Sequence, residues 1–315
     1  MVEQPQSAII AEGLTKSFPG VHAVDHLSFD VRSGEIFGLV GPDGAGKTTT
    51  LRMLAGIMPP DEGTARVAGF NVVHDPEGAK HHLSYMPQRF GLYEDLTVDE
   101  NIRFHADLFG VRKAQRQERS SQLLQAAGMK EFRKRLAGNL SGGMKQKLGL
   151  VCALIHRPKL VLLDEPTTGV DPVSRRDFWR ILYELVSEGV TILTSTAYLD
   201  EAERCHRIAL LHQGKLLFCD TPANLKAKLS KGVLSITSSE PRRLRSQLEH
   251  TVGISSLVLT GDGLHVVVDD AARRIPEFEA RLKNAQIPFD VIQQVTPTIE
   301  DLFVDAVGGG ASSHV

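Results

Sequence analysis

Short apolar runs alternate with amphipathic segments along much of the chain. Continuous apolar runs of this length are typical of strands that are covered on both faces of a sheet. The predicted strands of this kind are 35–40, 83–86, 160–163 and 190–195. The predicted helices among them are 48–55, 97–109, 116–127 and 172–188. This alternation of strands and helices predicts an α/β fold.

Segments outside this alternation predict two additions to it. Residues 8–12 and 26–31 are expected to be strands joined by a turn-rich link at 13–20. A further strand is expected at 63–70, and 74–82 is a polar segment to which no element is assigned. Helices between about 95 and 145 predict a helical insertion.

The last third of the chain is richer in strands. A hairpin is predicted at 207–219 around Gln213-Gly214, and Thr221-Pro222 caps a short helix. The later elements are strands 233–238, 255–260, 264–269 and 289–295, with a helix at 271–284. We therefore expect a first domain at 7–230, a small accessory α+β domain at 231–307 and a disordered tail at 308–315.

Charge and cysteine content narrow the classes of function. The 315 residues carry a formal net charge of −2, so no overall basic field attracts nucleic acid or anionic lipid. The three cysteines, Cys152, Cys205 and Cys219, lack metal-binding spacing and lie in apolar surroundings. They predict buried, reduced thiols in a cytosolic protein.

The hydropathy pattern also bears on membranes. No apolar run approaches the roughly 18 residues of a membrane span, and the first residues lack a basic segment followed by a long apolar one. We therefore expect a soluble protein, and any role at a membrane is expected to come through a partner.

One loop carries the strongest chemical signal. The sequence G-x-x-x-x-G-K-[ST] follows the strand at 35–40 and precedes the helix at 48–55, which is the setting this phosphate-binding motif requires. The loop consists of Gly41, Pro42, Asp43, Gly44, Ala45, Gly46, Lys47, Thr48 and Thr49. A triphosphate bound here accepts hydrogen bonds from free amides at a helix N-terminus. Lys47 is expected to reach the β- and γ-phosphates, and Thr48 is expected to ligate Mg²⁺.

Two acidic residues follow the strand at 160–163. Asp164 suits direct or water-mediated ligation of Mg²⁺, and Glu165 suits the polarisation of an attacking water. Because the phosphate loop also follows a strand, these acids are expected at the nucleotide.

A second glycine-rich helix start lies at 141–143. Ser141 is a natural N-cap, and two glycines in a first helical turn are costly. Gly142 and Gly143 are therefore predicted to lie close to a ligand. Phe18 is either an aromatic residue near the nucleotide or a core residue.

By its motifs, the chain resembles the ATP-binding subunits of ABC transporters, and within them the subunits that serve ABC-2-type exporters of the multidrug kind. The motifs appear in that family's order: Phe18, the phosphate loop 41–49, Gln88, the signature LSGGM at 140–144, Asp164-Glu165 and Gly169-Val170-Asp171. The resemblance covers roughly residues 7–222 and implies a P-loop NTPase core with an antiparallel β subdomain and a helical insertion.

The resemblance also implies roles and partners. Phe18 is expected to stack on adenine, and Gln88 is expected to contribute to catalysis and to Mg²⁺ ligation. Two such domains sandwich two ATP molecules, so that Ser141, Gly142 and Gly143 act on the partner's ATP. Asp171 is also expected to bind nucleotide. A groove near Gln88 and Tyr93 seats the membrane-spanning subunit. The partner ATPase domain is either an identical chain or a different one, and no nucleic acid is expected.

Three residues depart from the family pattern. Asp43 stands where Asn is usual, which places an acid near the phosphates unless its side chain turns outward. Met144 stands where Gln is usual. Ala197 stands where the family has a histidine, and His206, expected in the following helix, is too far along the chain to replace it.

These observations predict an ATPase that energises a separate membrane-spanning exporter through ATP-driven dimerisation, at the cytoplasmic face of a membrane. One alternative is a slow or non-hydrolysing regulatory partner in a heterodimer, which Ala197 favours. Ser195 or Thr196 is the candidate donor if the site remains active. The other alternative is a soluble ABC ATPase acting on ribosomes or DNA.

Overall fold

The computed structural model describes residues 7–89, 91–249 and 251–308. It divides into two compact units between residues 216 and 217. The domain boundary after residue 230 stays a prediction. Of the tail predicted to be disordered, Gly308 ends the last helix and 309–315 lie outside the described residues.

The first unit contains most of the chain's secondary structure. Its strands are β1 Ser7–Phe18, β2 Val21–Arg32, β3 Ile36–Val40, β4 Glu62–Val67, β5 Phe70–Asn71, β6 Leu83–Met86, β7 Leu160–Asp164, β8 Thr191–Thr196 and β9 Arg207–His212, and β10 Lys215–Asp220 contains the division between the units. Its helices are α1 Lys47–Leu54, α2 Pro76–Lys80, α3 Val98–Leu108, α4 Lys113–Ala126, α5 Gly142–Leu154, α6 Pro172–Ser187 and α7 Leu199–Ala202. Among the described residues, no helix has the length and apolar character needed to cross a membrane.

A six-stranded sheet forms the centre of this unit, in the order β10-β9-β3-β8-β7-β6. The apolar runs that predicted its inner strands are buried: every residue of β3, β7 and β8 is buried. The pairs β3–β8, β7–β8 and β6–β7 are parallel, with Val40 opposite Thr196 and Asp164 opposite Ser195. The segments that follow these strands therefore leave the same edge of the sheet, where open α/β sheets bind ligands.

A four-stranded antiparallel sheet, ordered β2-β1-β4-β5, corrects two predictions. The expected link at 13–20 is mostly strand, because β1 continues to Phe18 through several irregularities in its register with β2. The expected strand at 63–70 is interrupted, since Ala68 and Gly69 have φ values of 51° and 89° and turn the chain between β4 and β5. The segment at 74–82 contains α2, which sequence reasoning did not predict.

The helices α3 and α4 lie close to the predicted helices 97–109 and 116–127. Helix α3 begins with a capping box, in which the Thr97 hydroxyl accepts from the Glu100 amide and the Glu100 carboxylate accepts from the Thr97 amide. Gly128 follows α4 with a φ of 67°, as expected of a residue that ends a helix.

The second unit contains β11 Gly232–Thr237, β12 Ile254–Leu259, β13 Gly263–Val268 and β14 Val291–Val295, with helices α8 Pro222–Lys228, α9 Pro241–Leu248, α10 Ala271–Asn284 and α11 Ile299–Gly308. Its antiparallel sheet has the order β12-β13-β11-β14. The succession β11-α9-β12-β13-α10-β14 with this order is the ferredoxin-like, split βαβ arrangement. Helix α9 was not predicted, because only Leu244 and Leu248 of its residues are buried. The predicted α10 has the observed bounds.

Candidate active site

The loop after β3 is shaped by its glycines. Gly46 has a φ of 97°, and a Cβ there would lie 2.3 Å from the carbonyl oxygen of Ala23. A Cβ on Gly41 would likewise lie 2.3 Å from the carbonyl oxygen of Leu211. Glycine is therefore required at both positions by close backbone packing, and the loop leads directly into α1.

Lys47 places its positive charge inside this loop. Its side chain is only 4% exposed, and the ammonium group donates to the carbonyl oxygens of Gly41 at 2.8 Å and Pro42 at 3.0 Å. The same nitrogen lies 3.1 Å from a carboxylate oxygen of Glu165. The lysine thus joins the loop after β3 to the acid that follows β7.

Asp164 is the centre of a hydroxyl cluster. Oδ1 accepts from the Thr48 hydroxyl at 2.9 Å and from the Ser195 hydroxyl at 2.8 Å, and Oδ2 accepts from Tyr85 at 3.2 Å. Burial and, secondly, the Asp164 charge raise the pKa of Tyr85 to about 12, so the phenol stays protonated as a donor. A carboxylate beside a threonine hydroxyl offers the oxygen ligands that Mg²⁺ uses together with nucleotide phosphates.

Glu165 is held in an unusual backbone conformation. Its φ is 47°, and its amide donates to the Ser195 hydroxyl at 2.9 Å. The carboxylate oxygen that does not face Lys47 accepts from Gln88 at 3.1 Å and from Thr168 at 3.3 Å. Left-handed backbone at a non-glycine residue persists only where its surroundings determine it. The arrangement aims one carboxylate oxygen at the lysine and the other at Gln88.

A cleft of about 490 Å³ brings most of the predicted nucleotide residues together. It is lined by Phe18, Val21, Ala23, Asp43, Gly44, Ala45, Gly46, Lys47, Thr48, Thr49, Gln88 and Glu165. This volume lies in the range of small-molecule sites. Phe18 is 43% exposed, which leaves an aromatic surface for a base, and Asp43 is exposed as well. The residues present therefore fit a nucleoside triphosphate with Mg²⁺.

The signature loop does not line this cleft. Ser141 caps α5 by accepting from the Met144 amide at 3.3 Å, and both Ser141 and Gly142 are exposed. A Cβ on Gly143 would lie 2.5 Å from the Ser174 hydroxyl, so packing against α6 accounts for that glycine without a ligand. At Gly142 the nearest atom to such a Cβ is 4.0 Å away. Close approach to a ligand stays a prediction for both glycines, and packing inside the chain gives Gly143 a second reason to be glycine.

Asp171 also lies outside the lining of the cleft. It caps α6, and its carboxylate accepts from the amides of Val173 at 3.1 Å and Ser174 at 2.9 Å. These hydrogen bonds, the one from Ser174 foremost, lower the pKa of Asp171 below its ordinary value. Its observed role is to cap α6, whose first residue is Pro172.

The neighbours of Ala197 are already engaged. The Ser195 hydroxyl is fully buried and serves Asp164 and the Glu165 amide. The Thr196 hydroxyl, also buried, donates to Glu201 at 2.7 Å and accepts from the Tyr198 amide at 3.0 Å. In this arrangement both hydroxyls donate to other carboxylates, which weighs against the alternative in which one of them replaces the histidine donor.

His206 lies in a bend before β9 and not in a helix, contrary to its prediction. Its Nδ1 accepts from the Ile36 amide at 3.0 Å. The ring therefore serves the start of β3, which explains its presence without a role at the cleft.

Sequence reasoning missed Tyr85 and Thr168, and it assigned Ser195 a different task. A signal was available for Tyr85 and Ser195: both stand near the carboxyl ends of strands that flank β7, where side chains of parallel neighbours converge.

Two of the three cysteines are buried, as predicted. All three are described and free of disulfides, with Cys152 and Cys205 buried and Cys219 only half-buried. Burial raises the pKa of the Cys152 and Cys205 thiols.

Comparisons with known proteins agree with these motifs. The family model described as ABC transporter matches residues 24–168. The probable multidrug ABC transporter ATP-binding protein YbhF of Escherichia coli is 43% identical over 314 residues, which make up 98% of this chain and 53% of that protein. The daunorubicin/doxorubicin resistance ATP-binding protein DrrA of Streptomyces peucetius is 40% identical, covering 75% of this chain and 72% of that protein. The chain thus spans about half the length of YbhF.

Solved structures include similar folds. One described as the ATP binding subunit of an ABC transporter superposes with a TM-score of 0.64 at 30% identity, over 70% of this chain and 92% of that one.

Proposed function

Because this chain belongs to the ABC transporter family of ATP-binding proteins, we propose that it binds and hydrolyses ATP to energise a membrane-spanning exporter. The observation that carries the proposal is the convergence beside the cleft of Lys47 and Thr48, which follow β3, with Asp164 and Glu165, which stand at the end of β7. Relatives named for multidrug transport and drug resistance support the exporter class.

Each of these side chains has a task in hydrolysis. The Lys47 ammonium supplies the countercharge to the β- and γ-phosphates, and Thr48 and Asp164 hold Mg²⁺. When bound, Mg²⁺ neutralises phosphate charge. Glu165 orients a water and takes its proton as the water oxygen bonds to the γ-phosphorus and the bond to the ADP oxygen breaks. Gln88, 3.1 Å from Glu165, orients that carboxylate and contributes to Mg²⁺ ligation.

The exposed signature loop supports a role across a dimer. Ser141 and Gly142 face solvent and lie away from this chain's own cleft. We assign them, with Gly143 and Asp171, to contact with the ATP held by a second ABC ATPase domain. Free amides at the start of α5, a helix of 13 residues, suit a phosphate group.

An apolar surface supports attachment to a membrane-spanning subunit. Tyr93, Phe104, Leu108 and Phe109 are 44%, 37%, 65% and 47% exposed, and the rings of Tyr93 and Phe104 are 4.7 Å apart. We propose that an ABC-2-type subunit covers this surface and holds the chain at the cytoplasmic face of the membrane. Purification from detergent-solubilised membranes tests this: a multi-span membrane protein should accompany the chain. Ribosomal subunits in its place would favour a soluble ABC ATPase that acts on ribosomes.

The dimer is tested with Ser141→Arg. This variant should bind ATP as the wild type does, because Ser141 does not line the cleft, but it should lose ATP-dependent dimerisation measured by light scattering. Ser187→Arg is the matched control, since Ser187 is an exposed serine at the C-terminal end of a different helix, α6. Weaker ATP binding with dimerisation intact would show that the signature loop acts in its own chain.

A second candidate function follows from Ala197. Since Ser195 and Thr196 are committed elsewhere, this chain's site lacks the donor that the family supplies to the γ-phosphate. We therefore propose that the site turns over slowly and is held with ATP, while a different partner chain, completed by this chain's signature loop, carries the faster hydrolysis.

A further inference from the structure

Glu201 is a buried carboxylate with an unusually full set of donors. Its side chain is 2% exposed. One oxygen accepts from Thr167 at 2.7 Å and from Trp179 at 3.1 Å, and the other accepts from Thr196 at 2.7 Å. Arg175 adds two hydrogen bonds to the first oxygen, at 3.0 and 3.1 Å. We call these five residues the Glu201 cluster.

The cluster joins three segments that border the active site. Thr167 lies two residues after Glu165, in the segment between β7 and α6. Thr196 is the last residue of β8 and follows Ser195, which binds Asp164 and the Glu165 amide. Arg175 lies in the first turn of α6, four residues after its cap Asp171. A single carboxylate therefore ties together the segments that carry the water-activating acid.

Stability alone does not account for such a group. Replacing a buried ion pair with apolar residues is often neutral or stabilising, because desolvation of the charges offsets their attraction. Glu201 and Arg175 nonetheless lie beside buried apolar side chains, those of Trp179 and Ala202. The directional bonds of Glu201 fix positions that apolar packing would leave adjustable.

The position that most needs fixing is Glu165. Its left-handed backbone is held on one side by the Ser195 hydroxyl and on the other by the Thr168 hydroxyl, which donates to its carboxylate. Thr168 adjoins Thr167, and Ser195 adjoins Thr196. Both supports of Glu165 are therefore next to residues whose hydroxyls donate to Glu201.

We propose that Glu201 is a positioning residue for hydrolysis: through Thr167 and Thr196 it fixes the segments that set Glu165 between Lys47 and Gln88. This inference rests on the proposed ATPase function. Glu201 is not among the described residues that line the cleft, and it acts only through its neighbours. A displacement of about 1 Å at a reacting group can lower a rate by about 100-fold.

The experiment uses Thr167→Val, which removes one hydrogen bond and leaves the other donors of Glu201 in place. Thr191→Val is the matched control. Thr191 is a buried threonine at the opposite end of β8, and its hydroxyl accepts from the Gly34 amide at 2.9 Å. ATP affinity, single-turnover hydrolysis and thermal stability are measured for both variants, each with Glu165 and with Glu165→Gln.

Thr167→Val should lower the single-turnover rate about tenfold, leave ATP affinity within about twofold, and have no further effect on the rate when combined with Glu165→Gln. Thr191→Val should lower the melting temperature similarly without changing the rate. Equal rates in the two variants would overturn the positioning role. Failure of the wild type to bind ATP would instead overturn the proposed function.

If ATP binds but turns over too slowly to follow, affinity decides. Glu165→Gln should then raise ATP affinity in the wild-type background. The gain should be smaller in the Thr167→Val background, because there Glu165 no longer lies beside Lys47. The same gain in both backgrounds would refute the role of Glu201.

Discussion

The Lys47 ammonium and the Glu165 carboxylate form an ion pair of 3.1 Å in which both side chains are nearly buried. The same ammonium is the group that we expect to meet the phosphates of ATP. Phosphate oxygens and Glu165 therefore compete for one cation, and the negative charge of Glu165 also repels the phosphates.

This competition predicts that Glu165→Gln raises ATP affinity. The neutral amide no longer holds Lys47, so we expect a gain of about three- to tenfold, which isothermal titration calorimetry with ATP and Mg²⁺ would measure. Glu240→Gln, which removes the exposed pair with Arg243 in the second unit, should leave the affinity unchanged. A loss of affinity in Glu165→Gln would mean that the carboxylate assists binding.

Lys47→Ala should abolish measurable ATP binding. A hydrogen bond to a charged group is worth about 1.5–3 kcal/mol, and the phosphates would lose their buried countercharge. We expect affinity to fall by at least about 100-fold. Lys80→Ala, which breaks an exposed pair with Glu77, is the control. Near-normal ATP affinity of the Lys47→Ala variant would contradict the assignment of residues 41–49 as the phosphate-binding loop.

Ala197→His should restore the missing donor. Removal of one pre-positioned donor typically lowers a rate by about 10²–10³-fold, so its return should raise a slow basal rate substantially. The gain should require Glu165: in a cycle with Glu165→Gln, the histidine should add nothing. Under the slow-site hypothesis Glu165→Gln alone barely changes the basal rate. A wild-type homodimer that hydrolyses ATP at about 1–10 per second and stops with Glu165→Gln would contradict that hypothesis.

The second unit should show a pH-dependent contact. His265 Nδ1 lies 3.2 Å from both carboxylate oxygens of the fully buried Asp301, and this hydrogen bond raises the pKa of His265 above its ordinary 6.5. A group whose pKa is raised by folding stabilises the fold below its unfolded pKa, and this contribution disappears as the pH rises through the folded pKa. Asp301 stays charged there, because hydrogen bonds from His265 and Thr298 outweigh burial and lower its pKa.

His265→Gln should therefore destabilise the second unit by about 1 kcal/mol near pH 6 and by much less near pH 9. Amide hydrogen exchange in β13 and α11, compared with the wild type at each pH, measures the difference. His74→Gln, at an exposed histidine of the first unit, should have no effect at either pH. A difference that is the same at both pH values would show that charge on His265 is not involved.

Much of this protein could be predicted from the sequence because the signals are local. The capping box at Thr97 and the Asp171-Pro172 cap each act within a few residues of chain, so α3 and α6 begin within one residue of where they were predicted. The phosphate loop was equally readable, since its glycines and Lys47 are contiguous. Strands buried on both faces were visible as uninterrupted apolar runs.

Tertiary structure decided the features that depend on residues far apart in the chain. The continuation of β1 through 13–18 is set by pairing with β2 and β4, and not by the turn-forming residues of that segment. Gly143 is required by Ser174, which lies on another helix. The sequence left Ser195 as a candidate donor to phosphate, whereas the sheet places Ser195 opposite Asp164 and its hydroxyl donates to that carboxylate. Hydrogen bonds of this kind depend on the order of strands in the sheet, and no local sequence pattern predicts that order.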